Sequence, residues 1–205
     1  MSPFNVYGFT DSAPAGELRG ASGEPIQGLR CAGLVALAGQ VADAPALTAE
    51  SLRAYEAAVR RLAERCEAFL PARFGSVVER VELAGRETEL GEALALVRGR
   101  EQMTLRVYGP SVEPERASGT AYLESRRRQR AVAELDPLRA ALDGVVQAER
   151  VESHDGGELR ASVYHLVARG ASGDYLRAVQ SVALTVKVVP SGPWPAWSFA
   201  PEAVR

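Results

Sequence analysis

The sequence is poor in the residues that most directly announce chemistry. It holds two cysteines, Cys31 and Cys66, and two histidines, His154 and His165, in 205 residues. Two cysteines do not make a disulfide scaffold. Both lie in apolar segments, as reduced core thiols do. Four soft ligands scattered this widely lack zinc-site spacing, so neither a metal nor a cofactor is expected. Lysine is scarcer still: Lys187 is the single one, and every other basic residue is arginine. A G-x-x-x-x-G-K-[ST] phosphate loop is therefore excluded, and Schiff-base chemistry would depend on Lys187 alone. No G-x-G-x-x-G follows a strand, and neither G-x-S-x-G nor H-E-x-x-H occurs. Long apolar runs are also missing. No stretch approaches the ~18 apolar residues of a membrane span, and the N-terminus lacks the pattern of a signal peptide. A cytoplasmic protein is expected.

What is present reads as folded protein. An apolar fraction of 46% with 24% charged residues argues against long disorder. The net charge of -2 demands neither nucleic acid nor an anionic membrane as partner. The length allows one large domain or two of ~100 residues.

Asn5 to Phe9 reads as a short strand, Asp11 to Gly28 as a Gly- and Ser-rich loop, and Cys31 to Val41 as a central, wholly apolar strand. The strongest periodic signal follows. Leu52, Tyr55, Val59, Leu62, Cys66 and Phe69 recur at spacings of three and four. They predict an amphipathic helix over ~49–69, capped by Thr48 and ended by Pro71. Arginines and glutamates fill its other face, with Glu56 and Arg60 one turn apart. Leu70 to Val78 reads as a strand entered through proline. Leu90, Ala93, Leu94 and Val97 make a short helix closed by Gly99. Met103, Leu105 and Val107 make a half-buried strand.

Gly109 to Gly119 is a composition break. It divides the chain into an N-terminal subdomain, 1–109, a linker, 110–118, and a C-terminal subdomain, 119–205. The second half opens with a long helix over ~119–143 that restarts at Asp136-Pro137. Val145–Val151 and Leu159–Val167 form a hairpin through Asp155-Gly156, Asp174–Ala183 a helix, and Leu184 to Val188 a last strand. Pro190, Pro193 and Pro195 are expected to stop that strand. The fold class is α+β: two ferredoxin-like-type α/β sandwiches, a connecting helix and a Pro/Trp-rich tail.

No arrangement of these residues makes a convincing active site. A nucleophilic triad would need His154 or His165 as base. The plainer reading is an exposed turn histidine and a hydrogen-bonded sheet histidine. The run Arg126-Arg127-Arg128-Gln129-Arg130 spreads around a helix instead of forming a stripe. It is read as a solvated face first, as a salt-bridging surface second and as a phosphate contact last. Gly-Ala-Ser-Gly occurs twice, at 20–23 and 170–173, too short to mark a duplication. Trp194, Trp197 and Phe199 crowd a tail stiffened by prolines. Such rings either plug the protein's own core or offer a recognition surface.

That tail, Ser191-Gly192-Pro193-Trp194-Pro195-Ala196-Trp197-Ser198-Phe199, resembles the Gly-Pro-Trp-Pro-Pro-Tyr-Ser-Phe ending of the gas vesicle accessory protein family GvpF/GvpL. Leu70-Pro71-Ala72-Arg73-Phe74-Gly75-Ser76-Val77 resembles that family's Leu-Pro-Val-Arg-Phe-Gly-Thr-Val segment. Val6-Tyr7-Gly8, the Gly33–Leu37 strand, Tyr122-Leu123 and Ala161–Val167 follow in the family's order. Ala196 and Trp197 stand where the family has Pro and Tyr. The resemblance implies a non-enzymatic accessory role in gas vesicle assembly. It implies contact with the small hydrophobic shell protein or with other accessory proteins, in the cytoplasm and at the gas vesicle. Partner-contacting residues would be Arg73, Phe74, Trp194, Trp197 and Phe199. A small-molecule-binding or regulatory ferredoxin-like domain is the alternative. An enzyme using His165 with a nearby acid is the third reading.

Overall fold

The computed structural model describes residues 2–83, 85–109, 132–154 and 157–202. The linker 110–118, the arginine run 126–130 and Asp155-Gly156 lie outside the described residues. Contacts divide the chain after Arg100. Unit 1 is Met1–Arg100 with Trp194–Arg205, and unit 2 is Glu101–Pro193. The sequence groups the tail with the C-terminal half, whereas its contacts are with unit 1.

Unit 1 is built on β1 (Phe4–Thr10), which pairs antiparallel with β3 (Leu34–Gln40) on one side. On the other side it pairs with two short strands in succession, β4 (Leu70–Pro71) and β5 (Val77–Val78). The expected single strand over 70–78 is therefore interrupted by a turn, where Gly75 takes a φ of +81° that an L side chain rarely adopts. The ladder still bridges the gap, through Ala72 N–H to Tyr7 O and Val6 N–H to Ser76 O. Beyond β3 lies β2 (Ile26–Cys31), so the order is β2-β3-β1-β4. The first half of β2, Ile26 to Gly28, falls in the segment expected to be loop, because an edge strand needs little apolar character. Its Gln27, Gly28 and Arg30 sit at exposed positions.

Helix α1 (Ala49–Arg65) starts where expected. Thr48 accepts the Ser51 N–H at 3.1 Å, and Ser51 Oγ accepts the Thr48 N–H in return, closing a capping box. Tyr55, Ala58, Val59 and Leu62 bury its inner face. The helix stops earlier than its periodicity suggests. Cys66 is already extended, and residues 66–69 run into β4 while Cys66 and Phe69 stay in the same core. Leu52 is on the predicted apolar face but is 42% exposed, because the covered part of the helix begins at Tyr55. Tyr55 anchors the unit. Its ring stacks on Tyr7, and its hydroxyl lies 3.0 Å from Val6 O and 2.9 Å from Ala72 O. A second helix, α2 (Glu87–Val97), buries Leu90, Leu94 and Val97.

Unit 2 carries β6 (Arg100–Tyr108), α3 (Asp136–Ala141), β7 (Val146–Ser153), β8 (Leu159–Ala168), α4 (Ser172–Ser181) and β9 (Lys187–Trp194). The sheet order is β7-β8-β6-β9. Helix α3 opens at the Asp136-Pro137 restart. β7 and β8 are the expected antiparallel hairpin. Met103, Leu105, Val107, Leu138, Val163 and Tyr175 centre the core. One expectation fails here: β9 runs through Pro190 and Pro193. It is an edge strand, the place in a sheet where proline is tolerated.

Candidate functional site

The five residues expected to touch a partner all fall in unit 1, at different depths. Arg73 is exposed and Phe74 half-buried, in the turn between β4 and β5. Phe74 sets its edge against Tyr55, with centroids 5.4 Å apart and planes at 87°. The tail returns to this unit. Trp194 is half-buried beneath the Arg60 guanidinium, 4.1 Å from the ring centroid. Arg60 also holds Glu56 at 3.0 Å, the predicted pair on the outer face of α1. Trp197 packs against the core formed by Tyr7, Tyr55 and Leu62, as does Phe74. Phe199 is buried, at the end of a short 3-10 turn. The structure thus brings Phe74 and Trp197 to one core, puts Trp194 on α1, leaves Arg73 outside and turns Phe199 inward.

Both histidines are hydrogen-bonded within unit 2. His165 is 2% exposed, with no cleft beside it among the described pockets. Its Nδ1 lies 2.8 Å from the Tyr175 hydroxyl and its Nε2 3.0 Å from Glu149. An Nε2–H donating to Glu149 and an Nδ1 accepting from the phenol suit both contacts. Burial pushes the Tyr175 phenol pKa up, which keeps that proton in place. Arg139 completes the chain, 3.0 Å from Glu149 and 2.7 Å from Asp136. His154 Nε2 lies 2.9 Å from Ser162 Oγ, half-buried instead of exposed.

This network has a measurable acid signature. The hydrogen bond from His165 holds the Glu149 carboxyl at about 2, below its ordinary 4.5. Burial opposes that shift and Arg139 reinforces it. The folded-state pKa is the lower one, so the stabilisation is complete above the unfolded value. It is lost as pH falls from 4.5 toward about 2. Unfolding of unit 2 should therefore become easier across that window, by on the order of 2 kcal/mol once solvent screening of a partly exposed carboxylate is allowed for. Glu149→Gln should flatten the dependence in a denaturant series taken at each pH.

One concavity in unit 1 combines polar and aromatic walls. It encloses about 320 Å³ between Asn5, Glu24, Asp43, Ala54, Tyr55 and Phe74, among others. Asn5 is 2% exposed, and its Oδ1 has no hydrogen-bond partner. An unmet buried acceptor costs ~1–3 kcal/mol. Glu24, by contrast, is held firmly. It accepts the Tyr7 O–H and, at 3.0 Å, the Ser22 N–H. No spacing in the sequence singles out Asn5, Glu24 or Asp43, since β1, the 20–24 turn and the 41–47 loop meet only in the fold. A second groove of about 430 Å³ runs between Val6, Phe9, Val78 and Leu90. Among the described residues, no group of three or more His, Cys, Asp or Glu could hold a metal. No described helix is long and apolar enough to cross a membrane.

A two-unit α+β chain of this architecture has solved counterparts. Crystal structures of the gas vesicle protein GvpF from Anabaena sp. PCC7120 and from Microcystis aeruginosa each superpose with a TM-score of 0.74 at 14% identity. Each alignment covers 98% of this chain, with 97% of the Anabaena chain and 100% of the Microcystis chain. At that identity the likeness defines the class of fold: mixed α/β, with the sheets and helices of GvpF. The family follows from the sequence model for the gas vesicle synthesis protein GvpL/GvpF, which matches residues 4–201; the chain belongs to this family. A comparison with curated protein sequences finds no match.

Proposed function

We propose that this protein is a non-enzymatic accessory factor of gas vesicle assembly that binds the small hydrophobic shell protein, other accessory proteins, or both. The observation that carries the reading is the family match over residues 4–201. The physical need is plain. A small shell subunit with a large apolar surface aggregates before assembly unless a partner covers it. A soluble partner holds such a subunit by lending apolar surface or a sheet edge. The protein acts in the cytoplasm and at the gas vesicle. The tail supports this reading, because Trp194 and Trp197 are half-buried rings on the surface of unit 1, able to pack inward and touch outward at once. Phe74 and the exposed Arg73 extend the same surface, with Phe199 as its buried footing.

Trp194→Ala and Trp197→Ala should each reduce co-purification of the shell protein by about tenfold, as loss of an aromatic anchor does. The far-UV circular dichroism spectrum should stay unchanged. Collapse of that spectrum would assign the rings to the core and move the contact elsewhere. Unaltered co-purification would remove the tail from the interface.

A further inference from the structure

The concavity beside Asn5 and Glu24 has the features of a built receptor for a cation. Asn5 faces Gly39 directly across the β1–β3 ladder. A Cβ on Gly39 would fall 2.6 Å from Glu24 Cγ, and one on Gly20 would fall 2.1 Å from Glu24 Oε1. Two absent side chains thus make room for the Glu24 carboxylate next to Asn5. The Tyr7 hydroxyl and the Ser22 amide then fix its orientation. Tyr7 also accepts the Ala21 N–H at 2.8 Å, so its own proton is committed to Glu24. The residue after Ala42 adds a second carboxylate, Asp43. The described lining contains no Lys, Arg or His. The opposite wall is aromatic, Tyr55 with Phe74 set edge-on to it. An unmet amide oxygen, two carboxylates with no basic side chain in the described lining and an aromatic wall together describe what fits there: a planar cation with several N–H groups.

We propose that this pocket receives the guanidinium of an arginine side chain from a partner polypeptide, held between the Asn5 amide oxygen, the Glu24 and Asp43 carboxylates and the Phe74 ring. Arginine suits it better than lysine. Its flat, weakly hydrated group stacks on a ring while its edges donate to several acceptors. A polypeptide is the source favoured by the surroundings. Leu47 and Leu52, 77% and 42% exposed, lie next in the chain to the lining residues Pro45 and Ser51, on the loop and first turn of α1. They offer apolar contact to the residues beside an inserted arginine. The inference rests on the reading of this chain as one that binds other polypeptides, but its test needs none of them.

Amide spectra of the full chain, labelled with nitrogen-15 at low ionic strength, should be titrated with Nα-acetyl-arginine amide. The Ala21 and Ser22 amides should shift saturably, in the millimolar range expected of a single anchored side chain. The neutral isostere Nα-acetyl-citrulline amide should bind at least about tenfold more weakly, as should arginine amide to Glu24→Gln. Asp43→Asn, farther from the core, should weaken it several-fold while the remaining amide signals stay in place. Agmatine should bind no more tightly than arginine amide. Equal binding of citrulline and arginine amides, no saturable shift, or unchanged affinity in both variants would overturn the proposal. Agmatine binding about tenfold more tightly would overturn the polypeptide source. Any of these would leave the shell-protein co-purification result standing. A negative co-purification result with arginine amide bound would instead count against the assembly role alone.

Discussion

Gly8→Ala should destabilise unit 1 by about 3 kcal/mol or more. The alanine Cβ would fall 2.4 Å from Leu70 O and 2.5 Å from Phe69 Cζ. Neither neighbour can give way cheaply. Leu70 belongs to the β1–β4 ladder, where Gly8 faces Pro71 and Phe9 faces Leu70. Phe69 is 4% exposed in the core under α1, so its ring has no room to swing. Gly8 also follows the irregularity in the β1–β3 register between Val6 and Gly8, where the strand has little freedom to move sideways. Both tryptophans belong to unit 1, so tryptophan fluorescence in a urea titration reports on this unit. Gly91→Ala is the internal control. Gly91 lies inside α2 with nothing within 4 Å of an added Cβ. That substitution should stabilise by about 0.5–1 kcal/mol. An unchanged midpoint for Gly8→Ala would show that β1 and β4 are not packed this closely.

His165→Leu should cost unit 2 about 2–3 kcal/mol although it puts a larger apolar group into the core. The reason is what it abandons. The Tyr175 hydroxyl is fully buried and bonds His165. The Glu149 carboxylate loses its Nε2 partner and keeps only Arg139. Each unmet polar group carries its own desolvation cost, whereas removing both partners together is far milder. Tyr175→Phe made in the His165→Leu background should therefore cost much less than Tyr175→Phe alone. A coupling of about 1–2 kcal/mol in the double-mutant cycle is expected. Additive effects would mean that the two side chains do not share a bond. This outcome also bears on the enzyme reading. Both nitrogens of this buried histidine are engaged, one by a buried phenol and one by a carboxylate that Arg139 also holds.

Family membership and architecture bear differently on function. The family model reaches from residue 4 to residue 201 and ties the chain to gas vesicles. The two GvpF structures tie its backbone to a known fold. Neither speaks to which surface meets a partner. That question falls on particular side chains. The half-buried Trp194 and Trp197 and the acceptor-rich pocket of Asn5, Glu24 and Asp43 both belong to unit 1.

Elements whose signal is local were legible from the chain alone. Thr48, the three-and-four spacing through Leu62, and Glu56 before Arg60 specify α1, because caps, period and one-turn pairs act within a few residues. The Arg-Phe-Gly segment and the Trp-rich tail identified the family for the same reason: contiguous residues carry the pattern. Other features belong to the tertiary structure. Whether Pro190 and Pro193 end a strand depends on whether it lies at an edge, which sheet order decides. Whether Leu52 is buried depends on where the sheet beneath α1 stops covering it. Asn5, Glu24 and Gly39 meet only because β1 and β3 pair in one register and the 20–24 turn folds over them. Burial and cross-strand proximity are properties of the packed molecule, and a one-dimensional pattern carries them only where they repeat.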